Sequence, residues 1–543
     1  MGRLEGGRLM LLLSGMSGVA PRLIPELLPD NAAQTALNVL LHNGGVAPLH
    51  APSTVATRSG MLKKGIYRFG RNAGEAQYWF AFPTPVNVCK GPIAGDTEER
   101  TYWTGDGDYP KKTKFDLATT GGTAYPMGHL RLGVPAPTAA PTLTQVAGTG
   151  PTTAEVCAYV YTNVTAWGEE SAPSPATTGD RDATHLLQVS GFSAFPSGAY
   201  DFASAGACRR IYRSVNASSG ANYYLVKEIY NSDPVTDDTD VAAIGEPLPS
   251  LDWDEPPDDL AGLVMLPSGA ACGFSGKDVC FSVVGAPYAW PMKYRLTCDY
   301  NIVAVAPMGQ GVIVLTDGYP YFINSGDPES ASMTKLDEEH ACVSARSVVA
   351  FTGGVIYAAP DGLAMVSSSG VSLVTKGGYD RKAWQALGPS GIFAVKHDNR
   401  YYGFLPAGGF VFDPDLGATG IVFHDITASA AFVDPVLDQL YIAVGDYIQR
   451  WDSGAVKTAT WKSKRFSGTP SRYSFAKIRA LSYAGLTFKL YADGVLKQTK
   501  AVTSAAPFKL AAGFKARNYE IEISGTDHWM MAALGSTLEL RGV

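Results

Sequence analysis

Charge is scarce in this chain, and neither sign dominates. Of 543 residues only 17% are charged, and 44 Lys plus Arg against 50 Asp plus Glu leave a formal charge of −6. A dedicated nucleic-acid grip needs a basic face, and this balance argues against one. Long apolar runs are also missing. Nothing approaches the ~18 consecutive apolar residues of a membrane span, so none is expected. The run Leu9–Leu13 follows Arg3 and Arg8 as a secretory signal would. It is too short for an ordinary signal core, and Ser14 and Gly15 end it. The seven cysteines (Cys89, Cys157, Cys208, Cys272, Cys280, Cys298 and Cys342) are odd in number and form no CxxC pair. Reduced, mostly buried thiols fit that set better than a disulfide framework or a zinc site, and they point to maturation in a reducing compartment.

Motifs that carry chemistry are equally sparse. The eight histidines (His42, His50, His129, His185, His340, His397, His424 and His528) form neither HExxH nor an i, i+4 pair. There is no GxSxG, no P-loop and no GxGxxG after a strand. Paired glycosidase carboxylates can lie far apart in sequence, so their absence is not legible. The clusters Asp237-Asp238-Asp240 and Asp252-Asp254-Glu255 lack the spacing of a calcium loop and read as solvated turns. Two basic runs, Lys111, Lys112 and Lys114, and Lys462, Lys464 and Arg465, read as exposed hairpin charges. Contact with nucleic-acid or lipopolysaccharide phosphate is the alternative. The aromatics around Trp79 and Trp103 read as buried strand residues, with sugar stacking as the alternative. The expectation is therefore no catalytic residue, no cofactor-binding residue, no metal ligand and no enzymatic activity.

What is abundant is turn and strand chemistry. The chain has 59 Gly, 35 Pro and 27 Tyr, and 46% of it is hydrophobic. This implies an all-β fold of many short strands. Asn31–Leu41 satisfies a helical pattern, yet Leu37, Val39 and Leu41 also alternate into the hairpin signal His42-Asn43-Gly44-Gly45, and the reading leans to strand. Residues 1–140 read as an N-terminal segment and the first platform strands. Residues 141–255, between Pro-containing flanks, have the size and rhythm of a fibronectin-like β-sandwich insertion, with Cys157, Tyr159 and Tyr161 on one strand face. Residues 256–455 repeat an apolar strand, a Gly-Asp turn and a second strand, as at 311–323, 354–366 and 439–451, which reads as a β-propeller-like region. Packed sandwiches are the alternative. Residues 456–543 read as a C-terminal antiparallel β domain, with a strand at Leu534–Leu540.

Several tracts, taken in order, resemble the tail nozzle (tail tubular protein B-like, or tail stabilisation) proteins of short-tailed bacteriophages. They are Ser14–Pro21, Leu28–Gln34, Glu99–Gly105, His129–Pro135, Trp167–Pro175, Arg210–Ser214, Phe281-Ser282 to Ala289-Trp290-Pro291, Cys342–Ser344 and Pro360–Leu363. The last third of the chain has no comparable match, and Val283-Val284-Gly285 departs from the more polar loop of the pattern. The resemblance implies a structural virion protein in a short tail, assembled in the host cytoplasm as a homohexameric ring. Such a ring sits below the portal-adaptor ring, anchors tail fibres or spikes, and passes genomic DNA during ejection. No catalytic residue carries over. A β-propeller that binds or cleaves glycans is the alternative, and a secreted adhesin with a fibronectin-like module is the third reading.

Overall fold

In the computed structural model, which describes residues 10–60, 62–215, 222–367, 370–536 and 540, β-favouring sequence becomes strand nearly throughout. Helix is confined to short pieces. The α-helices Phe115–Thr119 and Arg381–Gln385 have five residues each. The fold is all-β. The chain divides into two units, one of Met1–Thr84, Leu315–Tyr321 and Lys335–Val543, the other of Pro85–Val314 and Phe322–Thr334.

In the first unit the ambiguous stretch after Asn31 is strand, at Ala33–Leu37 and Val39–His42. The second of these turns back into Gly45–Pro48, with His42 opposite Gly45. Asn43 and Gly44 supply the positive φ values, 48° and 72°, that a two-residue hairpin turn requires. Two four-stranded antiparallel meanders carry the repeat read from the sequence. One is Val349–Phe351, Gly354–Ala359, Gly362–Ser367 and Gly370–Leu373. The other is Ala430–Asp434, Gln439–Val444 and Tyr447–Arg450, completed by Ser53–Thr57 from the other end of the unit. Sheets of this size and connectivity are the building block of β-propellers.

A third meander, Phe393–His397, Arg400–Leu405, Gly408–Phe412 and Ile421–His424, does not stop at four strands. It continues through Ala33–Leu37 to Ala459–Ser463, Ala516–Gly525, Leu486–Ala492 and Val495–Val502 in a ten-stranded sheet. Strands from 456–543 thus share a sheet with strands from 256–455 and with the N-terminal segment. The final strand is Trp529–Gly535 rather than Leu534–Leu540, because the alternation that buries Trp529, Met531 and Ala533 begins earlier; residues 537–539 lie outside the described set. One large core, including Trp384, Tyr401, Phe404, Phe410, Trp461 and Ile523, fills this unit. The N-terminal tract is pinned at Gly18, where a Cβ would stand 2.0 Å from the Ile421 carbonyl oxygen.

The second unit holds two further four-stranded meanders. One is Asn87–Lys90, Thr101–Thr104, Lys111–Thr113 and Leu130–Arg131; the other runs from Ala261–Met265 to Leu296–Thr297. Between them in sequence lie two facing sheets. Thr142–Ala147, His185–Ser190 and Val235–Asp237 form one. Thr177–Arg181, Glu155–Val164, Cys208–Ser214 and Tyr223–Ile229 form the other. Cys157, Tyr159, Tyr161 and Ile211 pack against Leu187, Val189 and Val235 across the gap, as the period-two alternation of the strands dictates. All seven cysteines are free; six are buried and Cys89 is half-buried. Burial pushes the Cys89 thiol up to about 12 and the Cys280 thiol to about 11, so both are inert thiols at neutral pH.

Candidate functional site

Neither basic run is an exposed set of hairpin charges, which corrects the reading from sequence. Lys111–Thr113 is an interior strand of its sheet, and its burial leaves no solvated position for the ammonium groups. Lys112 is 2% exposed, is ion-paired with the buried Glu169, and lies 5.3 Å from the Trp167 ring. Lys111 pairs with Asp106 at 3.0 Å and Lys114 with Glu98 at 2.8 Å. In the other run Lys462 and Arg465 both reach Glu520, at 3.0 and 2.9 Å, while Arg465 also holds Glu26 and Lys464 holds Asp30. Gln34 adds a hydrogen bond to Glu520 at 3.0 Å. These cations hold the Glu520 carboxyl below its ordinary range against the opposing effect of burial, the largest single influence on it.

The acidic clusters divide. Asp237 is not in a solvated turn: it ends the edge strand Val235–Asp237, with Val235 and itself facing inward, at 1% exposure. Its carboxylate accepts from Tyr159 Oη at 2.5 Å, from Arg181 Nη1 at 3.3 Å and from Arg213 Nη1. Burial, and then the Asp237 charge, raise the Tyr159 hydroxyl far above its ordinary pKa. The alternation that puts Val235 inward was the available signal for Asp237. Trp79 and Trp103 are fully buried, as strand aromatics should be. Among the described residues no three His, Cys, Asp or Glu side chains gather as metal ligands would.

Two of the tracts that resemble the family pattern, Trp167–Pro175 and Arg210–Ser214, meet inside the second unit. Glu170, from Trp167–Pro175, accepts from Tyr212 Oη at 2.7 Å and Arg210 Nη1 at 2.7 Å, both from Arg210–Ser214, and from Thr162 Oγ1. The Ser171 and Ser174 hydroxyls accept from the backbone N–H groups of Asn163 and Tyr161. Ser282 Oγ accepts from Ala271 N at 2.8 Å, and Trp290 Nε1 donates to the Pro287 carbonyl at 2.7 Å. In each case the residue type is explained by a buried donor or acceptor that needs a partner.

One open cleft, of about 250 Å³, lies in the same unit and was not read from the sequence. It draws on three separated segments, which is why no local motif marks it. Asp252 and Trp253 come from the turn after Ser250, Lys293 and Tyr294 from the 3₁₀ turn after Trp290-Pro291, and Glu329 from the loop before Met333–Lys335. Asp254 ties the first two segments together: its carbonyl accepts from Trp290 N at 2.8 Å and its carboxylate from Met292 N at 3.2 Å. Lys293 Nζ pairs with Asp252 at 2.8 Å, and Tyr294 Oη donates to Glu329 Oε1 at 3.0 Å. Trp253 sits edge-on to Tyr288, with ring centroids 5.7 Å apart.

No protein-family model and no curated protein matches this chain. Solved structures align with it at low similarity. The N-terminal region of BBS1 in complex with ARL6 is 12% identical, covers 71% of this chain and 95% of its own, and has a TM-score of 0.28. The Neurospora crassa Pan2 WD40 domain is 6% identical over 49% of this chain and 84% of its own, with a TM-score of 0.26. An exo-β-1,3-galactanase from Phanerochaete chrysosporium is 9% identical over 64% of this chain and all of its own, with a TM-score of 0.19.

Proposed function

We propose that this chain is a structural subunit of the ring-shaped nozzle of a short phage tail, present as a homohexamer that conducts DNA and anchors fibres or spikes. The observation that carries the reading is the Glu170 network. Two tracts that resemble the family, distant in sequence, hold each other in a buried set of hydrogen bonds around Glu170. Residues of that kind maintain a rigid β scaffold, and the reading assigns no catalytic role to any of them. The inserted sandwich is taken as residues 141–255, joined to its neighbours by the Lys112–Glu169 pair as well as by the chain. The glycan-binding or glycan-cleaving propeller remains the alternative, since it would use the same meander sheets.

The test is imaging and composition of the particle. Purified virions from the source should contain the chain as a stoichiometric component, and negative-stain images of the tail, or of the purified protein, should show a ring with sixfold symmetry. Absence of the chain from purified particles would overturn the reading.

A further inference from the structure

We propose that the cleft at Trp253 is a binding site for one ring of a neutral saccharide. Trp253 is set apart from the core tryptophans by lining an open cleft; an indole N–H without a hydrogen-bond acceptor it shares with the buried Trp451 and Trp529. Trp79, Trp290, Trp384 and Trp461 are fully buried, and each donates its indole N–H to a backbone carbonyl. Trp253 is half-buried, faces the cleft, and its indole N–H has no acceptor among the described residues. The contact with Tyr288 and the hydrogen bonds of Asp254 to the next segment fix the turn that carries it. A rigid aromatic face with a free donor at its edge offers an apolar surface and a polar handle together.

The rim selects the chemistry. Asp252 and Glu329 bring two carboxylates against the single ammonium of Lys293. An anionic ligand, phosphate or nucleic acid included, meets net repulsion there. A wholly apolar ligand would strip water from three charged groups without replacing their hydrogen bonds. A neutral polyhydroxylated ring satisfies both demands, its C–H face on the indole and its hydroxyls on the carboxylate oxygens. Each carboxylate has one oxygen already engaged, by Lys293 and by Tyr294, which fixes where the other points. The volume, about 250 Å³, falls below the ~300–1,000 Å³ of sites for drug-sized ligands, and so limits the buried part to one ring. The inference goes beyond the nozzle reading and does not rest on it: the cleft lies within one unit, and a chain that formed no ring would keep it.

The full chain is titrated with methyl glycosides of glucose, galactose, mannose and N-acetylglucosamine, and with neutral trisaccharides built from them. Saturation-transfer NMR and tryptophan fluorescence report binding. At least one probe should bind saturably and protect Trp253 from oxidation by N-bromosuccinimide. Trp253→Ala and Glu329→Gln should each weaken binding ~tenfold or more, a change of ~1.4 kcal/mol, with melting unchanged. If Trp253→Ala does not fold, Glu329→Gln and the oxidation assay on the unaltered chain carry the test. No saturable binding by any probe, or binding indifferent to the substitutions, would overturn the proposal. So would binding of an oligolysine peptide in place of every sugar, which would make the cleft a site for basic side chains.

Discussion

The carboxylate of Asp237 and the guanidinium of Arg213 are bonded to each other in the interior of the sandwich, each 1% exposed. Arg181 and the Tyr159 hydroxyl share the same carboxylate. One acid thus answers two buried cations, so its removal leaves Arg213 without a counter-charge and Arg181 with only Glu155, 3.8 Å away. Breaking a buried pair from one side costs ~3–5 kcal/mol. Asp237→Asn keeps the shape and removes the charge, and should destabilise the region 142–237 by that order, read as loss of amide-exchange protection confined to its two sheets. Arg381→Ala, at an exposed pair with Asp361, should cost much less. Equal effects of the two substitutions would contradict the assignment.

Lys112 and Glu169 make a second test, because here both members can be replaced. Lys112→Met alone leaves the Glu169 carboxylate buried and unpaired and should lower the melting temperature markedly. Lys112→Met with Glu169→Leu removes both charges, and such replacements are often neutral or stabilising. The double variant should therefore recover most of the loss, a coupling visible in a double-mutant cycle. If the double variant melts at or below the single one, the pair is not what holds this region.

How far sequence reaches is visible in these same residues. Local signals were legible: the alternation at Cys157, Tyr159 and Tyr161 placed one core face, and Asn43-Gly44 placed a hairpin. Long-range pairing was not. Lys112 meets an acid 57 residues away, and Gln34 one 486 residues away. A charge run looks solvated until the partner strand is known, so both basic runs were misread for one reason. The cleft was hidden in the same way, because Asp252, Lys293 and Glu329 share no motif and meet only through tertiary structure.

The pairing of both basic runs bears on DNA. Duplex affinity comes from cations free to displace counterions at phosphates. Lys462, Lys464 and Arg465 are instead engaged by Glu520, Asp30 and Glu26, and the chain carries a formal charge of −6. Weak and salt-sensitive binding to duplex DNA is the most the protein should show. Each phosphate that a cation neutralises adds ~0.9 to the steepness with which affinity falls with salt on logarithmic axes. Lys464→Gln should leave the binding unchanged within about a factor of two and that slope constant. Fluorescence anisotropy between about 50 and 200 mM salt, the range over which genuine phosphate binding weakens steeply, measures both. A slope reduced by about one unit in this variant would show that Lys464 touches phosphate.

His424 sets the acid limit of the first unit. It is buried against Phe404 and Trp451, with ring centroids 5.5 and 5.1 Å away. Burial pushes its imidazole down to about 4, against smaller upward effects from the Ile426 backbone and Asp425 and a downward one from Lys457. The folded chain therefore holds His424 neutral at pH values where the unfolded chain, with an ordinary imidazole near ~6.5, is already protonated. The unfolded state binds more protons between those two values, so stability falls as pH drops from about 6.5 toward 4 and is fully present above that window. A shift of this size corresponds to ~3–4 kcal/mol. Glu520, held below its ordinary value, adds a loss of the same sign but only at lower pH. Denaturant melts of the chain should therefore weaken from pH 6.5 downward, and His424→Asn, though less stable at neutral pH, should show a flatter profile across that window. The imidazole resonance of His424, followed directly by NMR, should not titrate above pH 5. A resonance that titrates near 6.5 in the folded protein would remove the basis for the pH dependence, whatever the melts show.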